Sequence, residues 1–173
     1  KGAFPNYGIY FQDGAPTITG VKIYNNTIDC DAGGSTGIYS AQTWAEIDNN
    51  IMYQCFVGIR GINDSLLPAN QPEYNIFYGG IYQYYDQADT VNVWPVGSGN
   101  LTSNPLFVSA GNDYKLQSSS PAINTGDPNT LAGIDHDGIV VPQGLRADMG
   151  AFEYISGAPD TTPPSAPTGL VVN

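Results

Sequence analysis

The sequence predicts an all-β fold, on the evidence of its residue usage and of the spacing of its apolar residues. Of 173 residues, 21 are glycine, 13 are proline and 12 are tyrosine, which are residue types typical of turns and strands. No stretch places Ala, Leu, Glu and Lys at the 3.6-residue spacing of an amphipathic helix. A segment near the start of the chain also recurs further along, which indicates that the strands are arranged in repeats.

The repeat has a period in the mid-twenties. Residues 21–28 (VKIYNNTI) recur as residues 45–52 (AEIDNNIM) and, more weakly, as residues 73–77 (EYNIF). Such a period is one coil of a parallel β-helix, in which each coil stacks roughly 4.8 Å above the last. Leucine-rich repeats share the period, but their Leu-x-x-Leu-x-Leu pattern is absent. We therefore expect a solenoid of parallel strands over residues 1–100.

Three asparagines occupy the same place in successive repeats. Asn26, Asn50 and Asn75 lie 24 and 25 residues apart. Asparagine tolerates the left-handed backbone that a two-residue corner needs, and stacked amides can hydrogen-bond to one another, so we expect a structural ladder rather than a catalytic group. Cys30 follows Asn26 by four residues and Cys55 follows Asn50 by five. The sequence leaves open whether a bulge corrects this offset and lets the cysteines pair, or whether they stay free.

From residue 100 the pattern changes to four ordered motifs: residues 104–107 (NPLF), 120–126 (SPAINTG), 135–138 (DHDG) and 148–153 (DMGAFE). This succession resembles the C-terminal region of bacterial secreted parallel β-helix repeat proteins, of the kind grouped as "choice-of-anchor" domain proteins. It is also similar to the pectate-lyase-like superfamily. Asn124 stands where the pattern usually has Asp, and Met149 where it usually has Ile. The resemblance covers residues 8–155 and implies a right-handed parallel β-helix, secretion and a multidomain parent protein.

The two C-terminal parts of the chain have separate expected roles. Residues 101–157 are expected to form a cap, because the last coil of a solenoid otherwise exposes an open strand edge and an unfilled core. The side chains expected to plug that end are Phe107, Leu116, Ile123, Phe152 and Tyr154. Residues 158–173 include the Pro-rich run TTPPSAPTGL, which is typical of a linker and resembles the lead-in to a fibronectin type III module.

The charge balance excludes two classes of partner. Sixteen acidic residues against five basic ones give a net charge of −11, which repels the phosphates of nucleic acids and the surface of anionic membranes. No apolar run approaches the length of a transmembrane helix. An acidic surface suits a secreted protein that meets divalent cations, although solubility alone is the other interpretation. We expect a secreted or cell-surface monomer.

A second landmark, Gly-Ile-x, recurs at residues 8–10, 37–39 and 58–60. If these isoleucines point inward, alternation turns Tyr10, Tyr39 and Arg60 outward in one line. Tyrosine rings stack on sugar faces, and arginine binds a uronate carboxylate in bidentate fashion, so these three residues are the candidate polysaccharide-binding residues. An aromatic ladder that stabilises neighbouring strands is the alternative interpretation.

The catalytic candidates depend on which reaction is assumed. β-Elimination from a uronate needs an acid and a base, with Ca²⁺ or arginine neutralising the carboxylate, and Arg60 with Tyr39 is the one combination available. Glycoside hydrolysis needs two carboxylates flanking one bond. Asp13 and Asp64 follow their Gly-Ile markers by five and six residues, so they could share a loop face. The sequence does not decide between these reactions.

Asp135 and Asp137 are the candidate metal ligands. They lie in Asp-His-Asp-Gly, which is half of a calcium loop, because alternate carboxylates can reach one cation and glycine permits the bend. The closing glutamate of such a loop is missing, so a surface turn is the other interpretation, with His136 as a loop residue.

Two functions remain open on the sequence. The resemblance implies a late portion of a secreted polysaccharide lyase or glycoside hydrolase, to which this chain contributes part of the groove and the cap. The alternative is a non-catalytic surface or adhesive protein, in which the β-helix is a rigid stalk before fibronectin-like modules. The linker and the scarcity of catalytic bases favour the alternative, and whether the protein is an enzyme stays undecided.

Overall fold

The chain is all-β, as predicted. A computed structural model describes residues 6–11, 20–31, 34–40, 45–61, 71–86, 97–129 and 133–157. Within these ranges every regular element is a strand, and none of the described residues belongs to a helix long enough to cross a bilayer. The strands of the repeat region are β1 (Tyr7–Phe11), β2 (Lys22–Tyr24), β3 (Thr27–Asp29), β4 (Thr36–Ser40), β5 (Glu46–Asp48), β6 (Ile51–Tyr53), β7 (Val57–Gly61), β8 (Ile76–Tyr78) and β9 (Tyr82–Asp86). The later strands are β10 (Phe107–Ser109), β11 (Asp113–Leu116), β12 (Gly133–Ile134) and β13 (Val140–Val141).

The first nine strands form three parallel sheets. Their orders are β1-β4-β7-β9, β2-β5 and β3-β6-β8, and every neighbouring pair in them is parallel. The chain passes through the three sheets in the same sequence in each repeat, first β2, β3 and β4, then β5, β6 and β7. The period seen in the sequence is therefore the step from one strand to its parallel neighbour.

All three sheets contribute to one hydrophobic core. Successive side chains of a strand point to opposite faces, and one face of each strand is directed toward the other two sheets. The core residues contributed by the strands are Ile23, Ile28, Ile38, Ile47, Met52, Ile59, Phe77 and Tyr84. Ile38 and Ile59 of the Gly-Ile-x landmark are fully buried, as the sequence predicts.

The corner before each of β3, β6 and β8 contains one residue in the left-handed backbone region. These residues are Asn25, Asn49 and Tyr74, with φ of 55°, 59° and 52°, and Gly99 with φ of 73° repeats the pattern once more. Asparagine and glycine adopt this conformation at little cost, which explains their recurrence at this phase. In each case the ladder asparagine is the next residue.

The asparagine ladder predicted from the repeat is present. The backbone N–H of Asn26 and its Nδ2 donate to Oδ1 of Asn50 at 3.0 and 2.9 Å, and the same groups of Asn50 donate to Oδ1 of Asn75 at 2.9 and 3.1 Å. Asn100 adds a fourth rung, since its Oδ1 accepts from the N–H of Asn75 at 2.7 Å. Asn50 and Asn75 are fully buried, so their role is structural.

Cys30 and Cys55 form a disulfide bond. The register of β3 on β6 places Asp29 beside Tyr53, and the next residue differs between the two repeats. In the first, Cys30 follows directly and left-handed Asp31 comes after it, whereas in the second, left-handed Gln54 comes before Cys55. This shift of the corner by one residue corrects the offset seen in the sequence and brings the two Cα atoms within 4.8 Å.

Residues 105–129 and 133–154, here called the flanking segment, contribute side chains that pack on the outward side of the sheet β3-β6-β8. A second core joins Ile51 and Ile76 of that sheet to Phe107, Leu116 and Met149. Whether the C-terminal residues, Phe152 among them, also plug the open end of the repeats stays a prediction. Phe107, Leu116, Ile123 and Tyr154 pack on the side of the sheet, because it carries apolar residues on both faces and both must be covered.

Candidate functional site

The Gly-Ile-x strands place their third residues in one column. Register pairs Tyr10 of β1 with Tyr39 of β4, Tyr39 with Arg60 of β7, and Arg60 with Tyr85 of β9. We call Tyr10, Tyr39, Arg60 and Tyr85 the tyrosine–arginine column. The repeat indicated its first three members. Tyr85 was missed because β9 carries Gln83 and Tyr84 in place of the Gly-Ile marker, although it follows Arg60 by one period.

Neighbouring members of the column are in contact. The rings of Tyr10 and Tyr39 stack with their centroids 5.1 Å apart. The guanidinium carbon of Arg60 lies 5.8 Å from the centroid of the Tyr39 ring and 5.3 Å from that of Tyr85. Tyr7 extends the aromatic surface beside the first rung, 4.9 Å from Tyr39. These are the distances of aromatic stacking and cation–π contacts, so the column stabilises the parallel sheet as well as presenting a surface.

Exposure differs sharply along the column. Tyr10 is 48% exposed, whereas Tyr39, enclosed by Tyr7, Tyr10 and Arg60, is only 8% exposed. Arg60 and Tyr85 are half-buried. Tyr39 therefore offers little ring surface to a ligand. Its contribution is to pack between Tyr10 and Arg60 and keep them in position.

Burial also weakens Tyr39 as a catalytic base. Loss of hydration raises the pKa of the Tyr39 phenol, the phenols of Tyr7 and Tyr10 raise it further, and the Arg60 guanidinium opposes them. A raised pKa leaves less phenolate at neutral pH. The pairing of Arg60 with Tyr39 that β-elimination would use is thus geometrically present, but its base is held in the protonated form.

Exposed apolar residues continue the surface around the corner before β7 and β9. Phe56 is 40% exposed and Ile81 is 66% exposed. The ring of Phe56 meets that of Tyr82 edge-on at 5.5 Å, and Tyr82 lies 5.9 Å from Tyr85. The repeat did not indicate Phe56, because its position carries no common residue type in the other repeats. These residues give the column an aromatic margin at its Tyr85 end.

The glycines of the landmark allow the sheets to approach closely. A Cβ on Gly37 would lie 2.6 Å from the carbonyl oxygen of Gly58 and 2.7 Å from Cγ of Met52. A Cβ on Gly58 would clash with the ring of Phe77 and lie 2.7 Å from the carbonyl oxygen of Gln83. Glycine at these positions is therefore required by packing, and it fixes the strands that carry the column.

The carboxylates considered for hydrolysis cannot be placed relative to the column. Asp13 and Asp64 lie outside the described residues, as does the Pro-rich run of residues 158–173. Their assignment stays a prediction.

A different group of carboxylates lies on the outward side of β2 and β5. Glu46 accepts from Nζ of Lys22 at 2.7 Å and from the phenol of Tyr24. Beside it, Oδ1 of Asp48 accepts from the N–H of Glu73 at 2.9 Å. Burial raises the pKa of Asp48 to about 6, and repulsion from neighbouring carboxylates also raises it, whereas the hydrogen bond from Glu73 lowers it. This group faces away from the column's sheet and shares no register with it.

The contacts of Asp135 and Asp137 favour the turn interpretation. Oδ1 of Asp135 accepts from the N–H groups of Asp137 and Ile139 at 2.8 Å each, and its Oδ2 accepts from the N–H of Glu153 at 2.9 Å. Asp137 pairs with Lys115 at 2.9 Å. Among the residues that the structure describes, no three His, Cys, Asp or Glu side chains are grouped so that they could hold a metal ion.

The closing motif of the chain is likewise explained by structure. Oδ1 of Asp148 accepts from the N–H of Asn124 at 2.7 Å, and its Oδ2 accepts from that of Tyr154 at 2.6 Å. Gly150 has φ of 97° and donates its N–H to the carbonyl of Asn49 at 2.7 Å. These residues attach the flanking segment to the repeat region.

No protein-family model matches the chain, and none of the curated proteins is similar enough in sequence to be matched. The fold and the column together define an all-β protein with parallel, repeat-built sheets and an aromatic and cationic line along one of them.

Proposed function

We propose that the repeat region forms successive coils of a right-handed parallel β-helix that binds a polysaccharide along the tyrosine–arginine column. The parallel register of three sheets, visited in a fixed order, supports the β-helix, as does a step of 24 or 25 residues between neighbouring strands of the two smaller sheets. Right-handed crossovers are the strong general preference for parallel strands. The resemblance of the flanking-segment motifs to secreted β-helix proteins supports an extracellular setting.

The observation that carries the binding proposal is the unbroken register of Tyr10, Tyr39, Arg60 and Tyr85. A polysaccharide is itself a repeating chain, and a column with one side chain per coil spaces its contacts at roughly 4.8 Å intervals. Ring faces of tyrosine pack on the C–H faces of pyranoses, while phenol and guanidinium groups hydrogen-bond to hydroxyls. Tyr10 and the margin at Phe56 supply the exposed ring surface.

Binding, rather than catalysis, is the activity assigned to this chain. The reactive groups of a lyase or hydrolase would come from the parent protein or from residues such as Asp13 and Asp64. In that arrangement the described coils extend the groove and hold the polysaccharide in place.

Isothermal titration of the chain against a panel of purified oligosaccharides tests the proposal. We expect binding by at least one class of glycan, weakened roughly tenfold in Tyr10→Ala, which corresponds to ~1.4 kcal/mol. Tyr24→Ala is the matched control, because Tyr24 is a half-buried tyrosine that lies outside the column on β2. Equal loss in both variants, or no binding of any glycan at millimolar concentration, would overturn the proposal.

A non-catalytic stalk is the second candidate, and one specific observation favours it. The ring of Tyr39 and the guanidinium of Arg60 are occupied by contacts within the column, as expected for a ladder that stiffens a rod. The asparagine ladder and the disulfide add rigidity in the same direction. If no glycan binds, the stalk is the function that these observations support.

A further inference from the structure

We infer that the polysaccharide recognised by the tyrosine–arginine column is uncharged. The inference rests on the proposed function, since it names the class of glycan that the same site accepts. It follows from where the positive charges of the chain lie.

Only one of the four rungs of the column is cationic. The other three rungs, Tyr10, Tyr39 and Tyr85, are tyrosines, and Arg60 stands between two of them. A polyuronate carries a carboxylate on every sugar. Along coils stacked roughly 4.8 Å apart, it would place several carboxylates against phenol rings for each one that meets a guanidinium. Moving those carboxylates out of water onto ring faces is unfavourable without a partner.

The other described cations are committed elsewhere. Lys22 pairs with Glu46 on β2 and β5, at 2.7 Å, and Lys115 pairs with Asp137 in the flanking segment, at 2.9 Å. Arg146 is exposed in the flanking segment, which packs against a different sheet. Within the described ranges, none of these cations lies on the column's sheet, so they form no basic groove beside it.

The field of the whole chain acts in the same direction. A net charge of −11 on 173 residues repels a polyanion that comes within about 8 Å of the surface, since salt at physiological ionic strength largely screens the repulsion beyond that distance. A neutral glycan meets no such barrier. The aromatic margin of Phe56 and Tyr82, together with Ile81, adds apolar contact area that a glycan needs no charge to use.

In this account Arg60 acts mainly through the rings beside it. Its guanidinium lies 5.8 and 5.3 Å from the centroids of Tyr39 and Tyr85, within the range of cation–π attraction. That contact fixes the spacing of the two tyrosines, a role that needs no carboxylate on the glycan.

Matched neutral and anionic ligands test the inference. The probes are hexasaccharides of 1,4-linked glucose, mannose and galactose, each titrated beside its C6-oxidised counterpart, in which every primary alcohol has become a carboxylate. We expect a neutral hexasaccharide to bind at least about tenfold more tightly than its oxidised counterpart. We also expect the difference to shrink as sodium chloride is added, because salt screens the repulsion.

The outcomes separate the two proposals. Tighter binding of an oxidised hexasaccharide, weakened by salt, would overturn the inference of an uncharged glycan and leave polysaccharide binding intact. Equal binding of both members of each pair would overturn it as well, since charge would then play no part. Failure of every neutral and oxidised probe to bind would overturn the proposed function itself.

Discussion

Asn50→Ala removes the middle of the asparagine ladder and should be among the most damaging single truncations in the repeat region. Oδ1 of Asn50 accepts from the backbone N–H and from Nδ2 of Asn26, at 3.0 and 2.9 Å. Its Nδ2 donates to the carbonyl oxygens of Ile23 and Asp48, at 2.8 and 3.0 Å, and to Oδ1 of Asn75. The side chain is fully buried, so water cannot replace it.

The expected cost follows from the groups left without a partner. Truncation leaves the N–H of Asn26 without its acceptor, which costs ~1–3 kcal/mol, and it removes one hydrogen bond to the carbonyl of Ile23, worth about 1 kcal/mol, so the free energy of unfolding should fall by about 3 kcal/mol. Oδ1 of Asn75 keeps the N–H of residue 50 and adds little. A loss of this size is a large fraction of the roughly 5–15 kcal/mol that stabilises a typical domain.

Guanidinium unfolding followed by far-UV circular dichroism measures this loss. Asn26→Ala is the matched control, because Asn26 is half-buried and, among the residues that the structure describes, its side chain only donates, to Tyr24 and to Asn50. It should cost about 1 kcal/mol. If Asn50→Ala costs no more than Asn26→Ala, the ladder does not stabilise the stack in the way described.

Three further predictions concern packing, the cross-link and pH. Gly58→Ala should lower the free energy of unfolding by about 1–3 kcal/mol, because the added methyl group overpacks the core. Gly133→Ala is the control and should be neutral, since a Cβ there would meet no atom within 4 Å. Equal effects of the two substitutions in denaturant-induced unfolding would refute the packing argument. Replacing Cys30 and Cys55 together by alanine should cost about 3 kcal/mol, because it removes a cross-link across 25 residues. Reductant should lower the melting temperature of the natural chain and leave that of the double variant unchanged. A double variant that melts at the same temperature as the natural chain would contradict this prediction. The pKa of Asp48 is raised to about 6 in the folded state, so the stability that its protonated form contributes is present below pH ~4 and is lost as pH rises through about 6. Asp48→Asn should therefore flatten this part of a plot of unfolding free energy against pH. An unchanged slope in the variant would count against the assignment.

The repeat was predictable because it follows from local chemistry. In each repeat the ladder asparagine directly follows the left-handed corner residue, so Asn26, Asn50 and Asn75 keep a constant phase and mark the step from one strand to its parallel neighbour. The fourth rung, Asn100, was missed because residues 98–102 (SGNLT) share only that asparagine with residues 73–77 (EYNIF), although Gly99 repeats the left-handed backbone of Tyr74. The conformation recurs there although the residue types change.

The position of the flanking segment could not be predicted, because it is set by contacts between residues that are far apart in the sequence. Its motifs indicated a cap, but not which surface it covers. A signal was nevertheless present, since Ile51 with Met52 and Ile76 with Phe77 place apolar residues side by side in one strand. Adjacent apolar residues in a strand mean that both faces are buried, and the second face needed a cover from elsewhere in the chain.

The candidate site was predictable in register and not in exposure. Alternation places Tyr10, Tyr39 and Arg60 in line, because the parallel strands that carry them are paired in register. How much ring surface each offers depends on the neighbouring side chains, and Tyr7 and Tyr10 enclose Tyr39 through contacts that no spacing rule specifies. Tyr10 and Tyr85, at the two ends of the column, are accordingly the residues whose loss should affect binding most.

Mapping the bound glycan onto the sheet tests the central claim most directly. Backbone amide shifts of the isotope-labelled chain, recorded by NMR while a neutral oligosaccharide that binds is added, report which strands it touches. The account predicts the largest shifts along β1, β4, β7 and β9, centred on Tyr10, Arg60 and Tyr85. Shifts confined to the flanking segment or to β2 and β5 would contradict it.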